Sequence, residues 1–177
     1  VDNPLFGLEN IVCTPHLGAS TSEAQVKVAV QVAEQIADYL LEGAITNSIN
    51  SPSISAAEAP LLKPWVKVSD VLGGFIGQVI ETGLKEISIE YVGSVGELNT
   101  RPLTCSIVAA ILNPIVGIGS VNLVSSLIFA RERGVVISEI KKDSQGAFGS
   151  YIRILVKTEN SIRSAAGTVY SDGQPRF

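Results

Sequence analysis

The sequence contains no methionine, one tryptophan, one histidine and two cysteines among its 177 residues. The two cysteines are far apart and have no cysteine or histidine at metal-ligand spacing, so neither a disulfide scaffold nor a zinc site is indicated. No apolar run approaches the ~20 residues of a membrane helix, and no signal-peptide pattern opens the chain. We therefore expect a cytoplasmic protein that binds no metal and meets no membrane, with Cys13 and Cys105 buried as small apolar residues.

The sequence also lacks an excess of basic residues, since 13 lysines and arginines face 17 acidic residues and the net charge is −4. This balance argues against nucleic acid as a partner. Apolar residues make up 46% of the chain and charged residues 17%, which indicates a folded core. The length leaves room for one domain, or for one domain and a remnant of another.

A dinucleotide-binding turn of the form G-x-G-x-x-G is absent from the sequence. The nearest segment, 117–122, has its first two glycines but not the third. A second glycine cluster, 73–77, lies inside a helical pattern rather than after a strand. We therefore interpret this cluster, with Gly73, Gly74 and Gly77, as a site of close helix packing.

The composition changes near Asn50. Residues 1–50 predict a strand at 11–13, a turn, a helix and a short strand at 45–49. The helix has an S-x-x-E capping box at 20–23, and Gly43 is its expected end. Residues 51–60 contain two prolines and three serines and predict a linker.

Residues 61–177 predict one α+β domain, an antiparallel sheet with helices on one face. The periodicity places helices at 62–82, 104–116 and 121–133, with 113–114 breaking the second of them. Strands are predicted at 85–92 and 135–140, and a hairpin at 151–158 and 161–170. The pattern at 175–177 is typical of a strand that continues, and we expect the chain to be truncated at both ends.

The single histidine lies in segment 14–21, Thr-Pro-His-Leu-Gly-Ala-Ser-Thr, between the first predicted strand and helix. A loop in this position presents a proton-transfer group at the edge of a cleft, and histidine exchanges protons near neutral pH. The alternative is that His16 is only a structural hydrogen bonder.

Segments 3–10, 11–21 and 23–25 together resemble one block of the D-2-hydroxyacid dehydrogenases, and in detail the D-3-phosphoglycerate dehydrogenases of serine biosynthesis. The resemblance continues through 58–60, 130–134 and 166–170, as in the long form of that enzyme. It implies that His16 is the catalytic acid/base and that Gly18 and Ala19 lie near the nicotinamide of NAD. It also implies that 61–177 is the regulatory domain, which resembles an allosteric substrate-binding domain and a domain of bacterial L-serine dehydratases.

By the same resemblance, residues 1–50 are a remnant of the cofactor- and substrate-binding domains, 51–60 is the hinge, and the regulatory domain is incomplete at its C-terminus. The whole enzyme would use NAD to oxidise 3-phosphoglycerate, a small phosphorylated hydroxy acid, to 3-phosphohydroxypyruvate. His16 would accept the hydroxyl proton. The family's substrate-binding arginine, its histidine-orienting glutamate and its cofactor motif lie outside this sequence. We therefore expect the chain alone to be inactive and the whole enzyme to form homo-oligomers.

Four basic residues lie on or near the late strands: Arg153, Lys157, Arg163 and Arg176. Arginine suits phosphate and carboxylate because its planar group donates two parallel hydrogen bonds. By resemblance, Arg176 matches a basic position of the family's anion or effector site. The alternative is that all four are ordinary solvated residues. The second function hypothesis is accordingly a non-catalytic module for anion binding or oligomerisation.

Overall fold

The computed structural model describes residues 3–80, 83–143 and 149–177. The helices are α1 (Ser22–Glu42), α2 (Ala59–Val79), α3 (Arg101–Val116) and α4 (Ser126–Glu132), with a 3₁₀ turn at Ser94–Glu97. The strands are β1 (Leu84–Gly93), β2 (Val136–Lys142), β3 (Ser150–Thr158), β4 (Ile162–Val169) and β5 (Pro175–Arg176). The chain forms two compact units, one ending at Ala37 and the other beginning at Asp38. In the ranges just given, no helix is long and apolar enough to cross a membrane.

The first unit contains a turn-rich segment followed by α1 as far as Ala37, and the last residues of α1 are assigned to the second unit. Thr21 caps the helix, because its Oγ1 accepts a hydrogen bond from the Ala24 N–H at 3.1 Å, so the cap lies one residue after the predicted Ser20. The strand predicted at 11–13 is not formed, since the Ile11 N–H is used in a turn to the Leu8 carbonyl at 3.1 Å. The expectation that Cys13 is buried is wrong because this segment has no paired strand to cover it, and Cys13 is exposed.

The second unit is built on a sheet with strand order β2-β1-β3-β4-β5. Three of its four strand pairs are antiparallel, as predicted, whereas β1 and β2 are parallel. The parallel pair arises because α3 and α4 lie between these strands in the sequence and return the chain to the starting end of β1. The strand predicted at 45–49 is reduced to a single bridge between Ile45 and Ile54.

The predicted coverage of one sheet face is confirmed. Alternate residues of the two central strands are fully buried beneath α2 and α3: Ile87, Ile89, Tyr91, Ile152, Ile154 and Val156. The opposite face is solvated and mixes charged residues with exposed aliphatic ones such as Val136 and Leu155. It carries an ion-pair cluster of Glu90 with Lys142 at 2.5 Å and Arg153 at 3.5 Å. The period-two alternation of β1 and β3 therefore defines both the core and the solvated face.

Close packing of α2 on α3 at the glycine cluster is confirmed for Gly73 and Gly77 but not for Gly74. A Cβ atom added at Gly73 would lie 2.7 Å from the Ala110 Cβ, and one at Gly77 would lie 2.5 Å from the Ile111 carbonyl oxygen. A Cβ atom at Gly74 would meet nothing within 4 Å. The absence of a side chain at Gly73 and Gly77 therefore allows the backbones of α2 and α3 to approach each other.

Helix boundaries differ from the predictions for identifiable reasons. α2 begins at Ala59, directly after a turn at 56–58. Ser55 and Glu58 close this turn with the reciprocal hydrogen bonds of an S-x-x-E pair, the Ser55 N–H donating to the Glu58 carboxylate at 3.0 Å and the Glu58 N–H to the Ser55 hydroxyl at 3.3 Å. α3 continues through Pro114 to Val116, because a proline in the last turn removes only one helix hydrogen bond. α4 is shorter than predicted, since Asn122 turns the chain by accepting the Ser125 N–H at 3.0 Å. Residues 81–82 of the first predicted helix lie outside the described residues.

Candidate functional site

His16 lies in the exposed loop that precedes α1, and it is the chain's one imidazole. The loop closes through a hydrogen bond from the Ser20 N–H to the Leu17 carbonyl at 3.1 Å, and Thr21 then starts the helix. Gly18 and Ala19 are part of the same exposed turn, so the structure brings three of the predicted site residues into one loop. An exposed imidazole next to a capped helix is accessible for proton exchange with a bound small molecule.

The glycines of the described residues do not form a dinucleotide site. Gly18 faces open space, with nothing within 4 Å of an added Cβ. Gly93 ends β1, but an added Cβ there would collide with the Gly149 carbonyl, so this glycine accommodates a neighbouring backbone segment rather than a ligand. A glycine-rich turn that leads from a strand into a helix N-terminus is what a pyrophosphate requires. The described part of this chain therefore does not fit NAD by itself.

Arg176 lies on β5, in the second unit, where Thr168 is its partner in the sheet. Its guanidinium donates to the Asp172 carboxylate at 3.3 Å and to the Pro175 carbonyl at 3.0 Å. It also stacks over the Tyr170 ring, 5.3 Å from the centroid. Its side chain stays about half exposed, so an anion could reach it in competition with Asp172.

The other basic residues of the late strands do not converge with one another. Arg153 pairs in register with Glu90 on the solvated face of β3, and Lys157 pairs with Glu86 on the same face. Arg163 is opposite the buried Val156 and therefore lies on the other face of the sheet. These three residues are distributed as expected for solvated strand residues.

One charged cavity of about 210 Å³ was not anticipated from the sequence. It lies between the start of α3, α4 and the inner side of β2, and it is lined by Arg101, Leu127, Arg131, Val135, Ile137 and Glu139. The residues come from segments about 30 positions apart, so only the β1–α3–α4–β2 crossover brings them together. No local motif marks this cavity in the sequence.

A hydrogen-bonded chain links the cavity to the core. The Thr104 hydroxyl donates to Glu139 Oε1 at 2.8 Å, and the Thr100 hydroxyl donates to Oε2 at 3.3 Å. The Tyr91 hydroxyl lies 2.7 Å from the Thr104 hydroxyl and donates to it, since the Thr104 proton is committed to the carboxylate. Burial raises the pKa of Tyr91 well above its ordinary value, which keeps this donor protonated.

Cys105 lies beside this chain but is not suited to nucleophilic chemistry. Burial raises the pKa of its thiol, and the positive charge of Arg101 offsets only part of that rise. A neutral, buried thiol is a packing residue rather than a nucleophile. In the ranges that the structure describes, no group of three or more metal-ligating side chains is present.

Comparison with known proteins defines the family. The family model of the D-3-phosphoglycerate dehydrogenase intervening domain matches residues 61–177. The chain belongs to this family. It is 30% identical over 168 residues to D-3-phosphoglycerate dehydrogenase of Bacillus subtilis, covering 95% of this chain and 32% of that protein. For the enzyme of Synechocystis the identity is 33% over 177 residues, covering 99% of this chain and 32% of that protein.

A plant relative gives the same result. D-3-phosphoglycerate dehydrogenase 3, chloroplastic, of Arabidopsis thaliana is 35% identical over 175 residues, covering 97% of this chain and 30% of that protein. The chain thus spans about a third of the length of these curated relatives. The family resemblance inferred from the sequence is confirmed, and residues 61–177 are called the intervening domain below.

Proposed function

We propose that this chain is part of an NAD-dependent D-3-phosphoglycerate dehydrogenase in which His16 is the general acid/base. The observation that carries the proposal is the similarity to enzymes of that name along 95–99% of the chain, a range that includes the His16 loop. In the proposed reaction His16 accepts the proton of the substrate hydroxyl as 3-phosphoglycerate is oxidised to 3-phosphohydroxypyruvate. Gly18 and Ala19 border the same pocket of the whole enzyme.

The chain by itself has no dehydrogenase activity in this proposal. Its described residues do not form a dinucleotide site, and positioning of both reactants is required for turnover. Residues 1–50 belong to the catalytic part, 51–60 connect it to the intervening domain, and 61–177 regulate it. The whole enzyme is a cytoplasmic homo-oligomer.

The test is a pH–rate profile of the full-length protein that contains this chain, with 3-phosphoglycerate and NAD. The His16→Asn variant should lose the limb of the profile that depends on the histidine, whereas Ser20→Ala in the same exposed loop should keep it. An unchanged profile in His16→Asn would refute the role of His16. Turnover by the pure 177-residue chain would refute its proposed inactivity.

A second candidate function is that the intervening domain binds a phosphorylated hydroxy acid through Arg176. The observation that favours it is the half-exposed Arg176 guanidinium at the sheet edge. Calorimetric titration of the chain with 3-phosphoglycerate should show affinity that falls with salt and is lost in Arg176→Ala but kept in Arg163→Ala. Equal binding by both variants would exclude Arg176 from the site.

A further inference from the structure

The cavity between α3, α4 and β2 contains charged groups that the proposed dehydrogenase function does not use. Arg101 lies at the first position of α3 and Arg131 in the last turn of α4. Within the described ranges, neither guanidinium has an aspartate or glutamate oxygen within 4.0 Å, while Arg153 and Arg176 do. The cavity thus holds two arginines whose charge-assisted hydrogen-bond capacity is not used by the carboxylates of the part of the domain that the structure describes.

The positive potential at this cavity has a second source. The N-terminus of α3, a helix of 16 residues, carries a partial positive charge and begins at Arg101. The single negative group is the Glu139 carboxylate. The cavity lining is therefore net positive and favours a small anion over a cation.

Glu139 gives the cavity a fixed hydrogen-bond acceptor. Each carboxylate oxygen accepts one hydrogen bond, Oε1 from the Thr104 hydroxyl and Oε2 from the Thr100 hydroxyl. Two hydrogen bonds leave about half of the carboxylate's lone pairs available, since an ionised carboxylate has about four acceptor positions. A ligand that places a hydroxyl or ammonium group beside Glu139 would be bound more strongly than one without a donor.

The remaining wall is apolar and is formed by Leu127, Val135 and Ile137. A volume of about 210 Å³ is below the ~300–1,000 Å³ of drug-sized pockets and accommodates a ligand of only a few heavy atoms. Aliphatic side chains favour a short carbon skeleton and offer no hydrogen bonds to a fully polar ion. This wall argues for an organic acid rather than an inorganic anion.

We propose that this cavity binds a small carboxylate that carries a hydroxyl or ammonium donor on the neighbouring carbon. Arg101 and Arg131 bind the carboxylate, Glu139 accepts the hydrogen bond of the donor, and the carbon skeleton lies on the aliphatic wall. The proposal concerns a site distinct from Arg176 and does not depend on dehydrogenase activity.

The experiment is a titration of the ¹⁵N-labelled 177-residue chain followed by the arginine Nε–Hε resonances in heteronuclear NMR. The probes are propionate, L-lactate and L-alanine, which share a three-carbon acid skeleton and differ at the second carbon, and inorganic phosphate at matched ionic strength. We expect L-lactate or L-alanine to shift the Arg101 and Arg131 resonances and to bind about fivefold or more tightly than propionate. Phosphate should bind more weakly than either.

Three variants assign the roles. Arg101→Ala and Arg131→Ala should each weaken binding about tenfold or more, and Glu139→Gln should reduce the preference over propionate. Arg163→Ala, an exposed arginine outside the cavity, is the matched control and should leave the affinity unchanged. If circular dichroism shows that Arg101→Ala does not fold, the test rests on Arg131→Ala, because Arg131 is exposed.

Several results would overturn the proposal. These are equal affinities for propionate and the two substituted acids, the strongest binding by phosphate, and unchanged affinity in Arg131→Ala. The absence of any shift of the two arginine resonances at saturating probe concentrations would also overturn it.

Discussion

The contact between α2 and α3 can be tested with alanine substitutions in the glycine cluster. Gly73 and Gly77 lie against α3, whereas Gly74, which lies between them in the sequence, faces open space. Alanine at an exposed helix position is more favourable than glycine by ~1 kcal/mol. At Gly74 an added methyl group meets nothing within 4 Å, so Gly74→Ala should raise the free energy of unfolding by about 0.5–1 kcal/mol.

At Gly77 the same methyl group would lie 2.5 Å from the Ile111 carbonyl oxygen and 3.1 Å from its Cα atom. These are backbone atoms that cannot rotate away, so the helices must separate and the core beneath them must repack. Overpacking of this kind costs about 1–3 kcal/mol, which exceeds the gain in helix propensity. Gly77→Ala should therefore lower the free energy of unfolding by up to about 2 kcal/mol.

The measurement is urea denaturation of the wild-type chain, Gly74→Ala and Gly77→Ala, followed by circular dichroism. The urea midpoint should rise in Gly74→Ala and fall in Gly77→Ala. In a parallel thermal denaturation the midpoint of Gly77→Ala should be lower by up to about 8 °C. If Gly77→Ala were as stable as Gly74→Ala, the close approach of the two helices would be refuted.

Other predictions concern hydrogen bonds and pH. Thr104→Val leaves the buried Tyr91 hydroxyl without its acceptor and should destabilise the chain by ~1–3 kcal/mol in urea denaturation, more than Tyr91→Phe, which leaves Thr104 bonded to Glu139. Because burial raises the pKa of Tyr91, the unfolded chain releases this proton near pH 10 while the folded chain keeps it. Stability should therefore fall above about pH 10, and Tyr91→Phe should fall less steeply in matched denaturation curves; parallel curves would refute the shift. Hydrogen bonds from the Ser55 hydroxyl and backbone N–H lower the pKa of Glu58, so their contribution to stability is present above the ordinary pKa of 4.5 and lost as the pH falls. Ser55→Ala removes only the hydroxyl and should therefore reduce this acid-side loss in matched denaturation curves.

Much of the second unit is predictable because its elements have strong local patterns. Strand β1 alternates from Glu86 to Tyr91, with Ile87 and Ile89 buried and their neighbours more exposed, so its two faces follow from the sequence there. The glycine cluster at 73–77 predicts a close helix contact, and the structure confirms this contact at Gly73 and Gly77, although Gly74 takes no part in it. Local periodicity is sufficient to predict an element and its buried face where only one face of that element is buried.

The strand predicted at 11–13 is wrong because an apolar run forms a strand only when another strand pairs with it, and the turn at Ile11 uses the backbone instead. The parallel pairing of β1 with β2 depends on the path of α3 and α4, which periodicity does not specify. Ser55 and Glu58 have the S-x-x-E spacing of a capping box, and their reciprocal hydrogen bonds are formed, but the prolines and serines around them predict a linker instead.

The candidate sites also differ in how far the sequence alone predicts them. His16 is a candidate from the sequence alone because it is the one histidine and lies in a family-specific segment, and its role stays a prediction. The cavity of Arg101, Arg131 and Glu139 could not be predicted, because its residues are separate in sequence and each has an ordinary surface role when considered alone. Only the three-dimensional crossover places their charges around one volume.

The most direct test of the central claim is the kcat/KM for 3-phosphoglycerate of the full-length protein that contains this chain, compared between wild type, Ser20→Ala and His16→Asn. Loss of a general acid/base should lower kcat/KM in His16→Asn by about 10²-fold or more, while Ser20→Ala stays close to wild type. Activity of His16→Asn equal to that of Ser20→Ala, or no oxidation of 3-phosphoglycerate by the wild-type protein, would contradict the account.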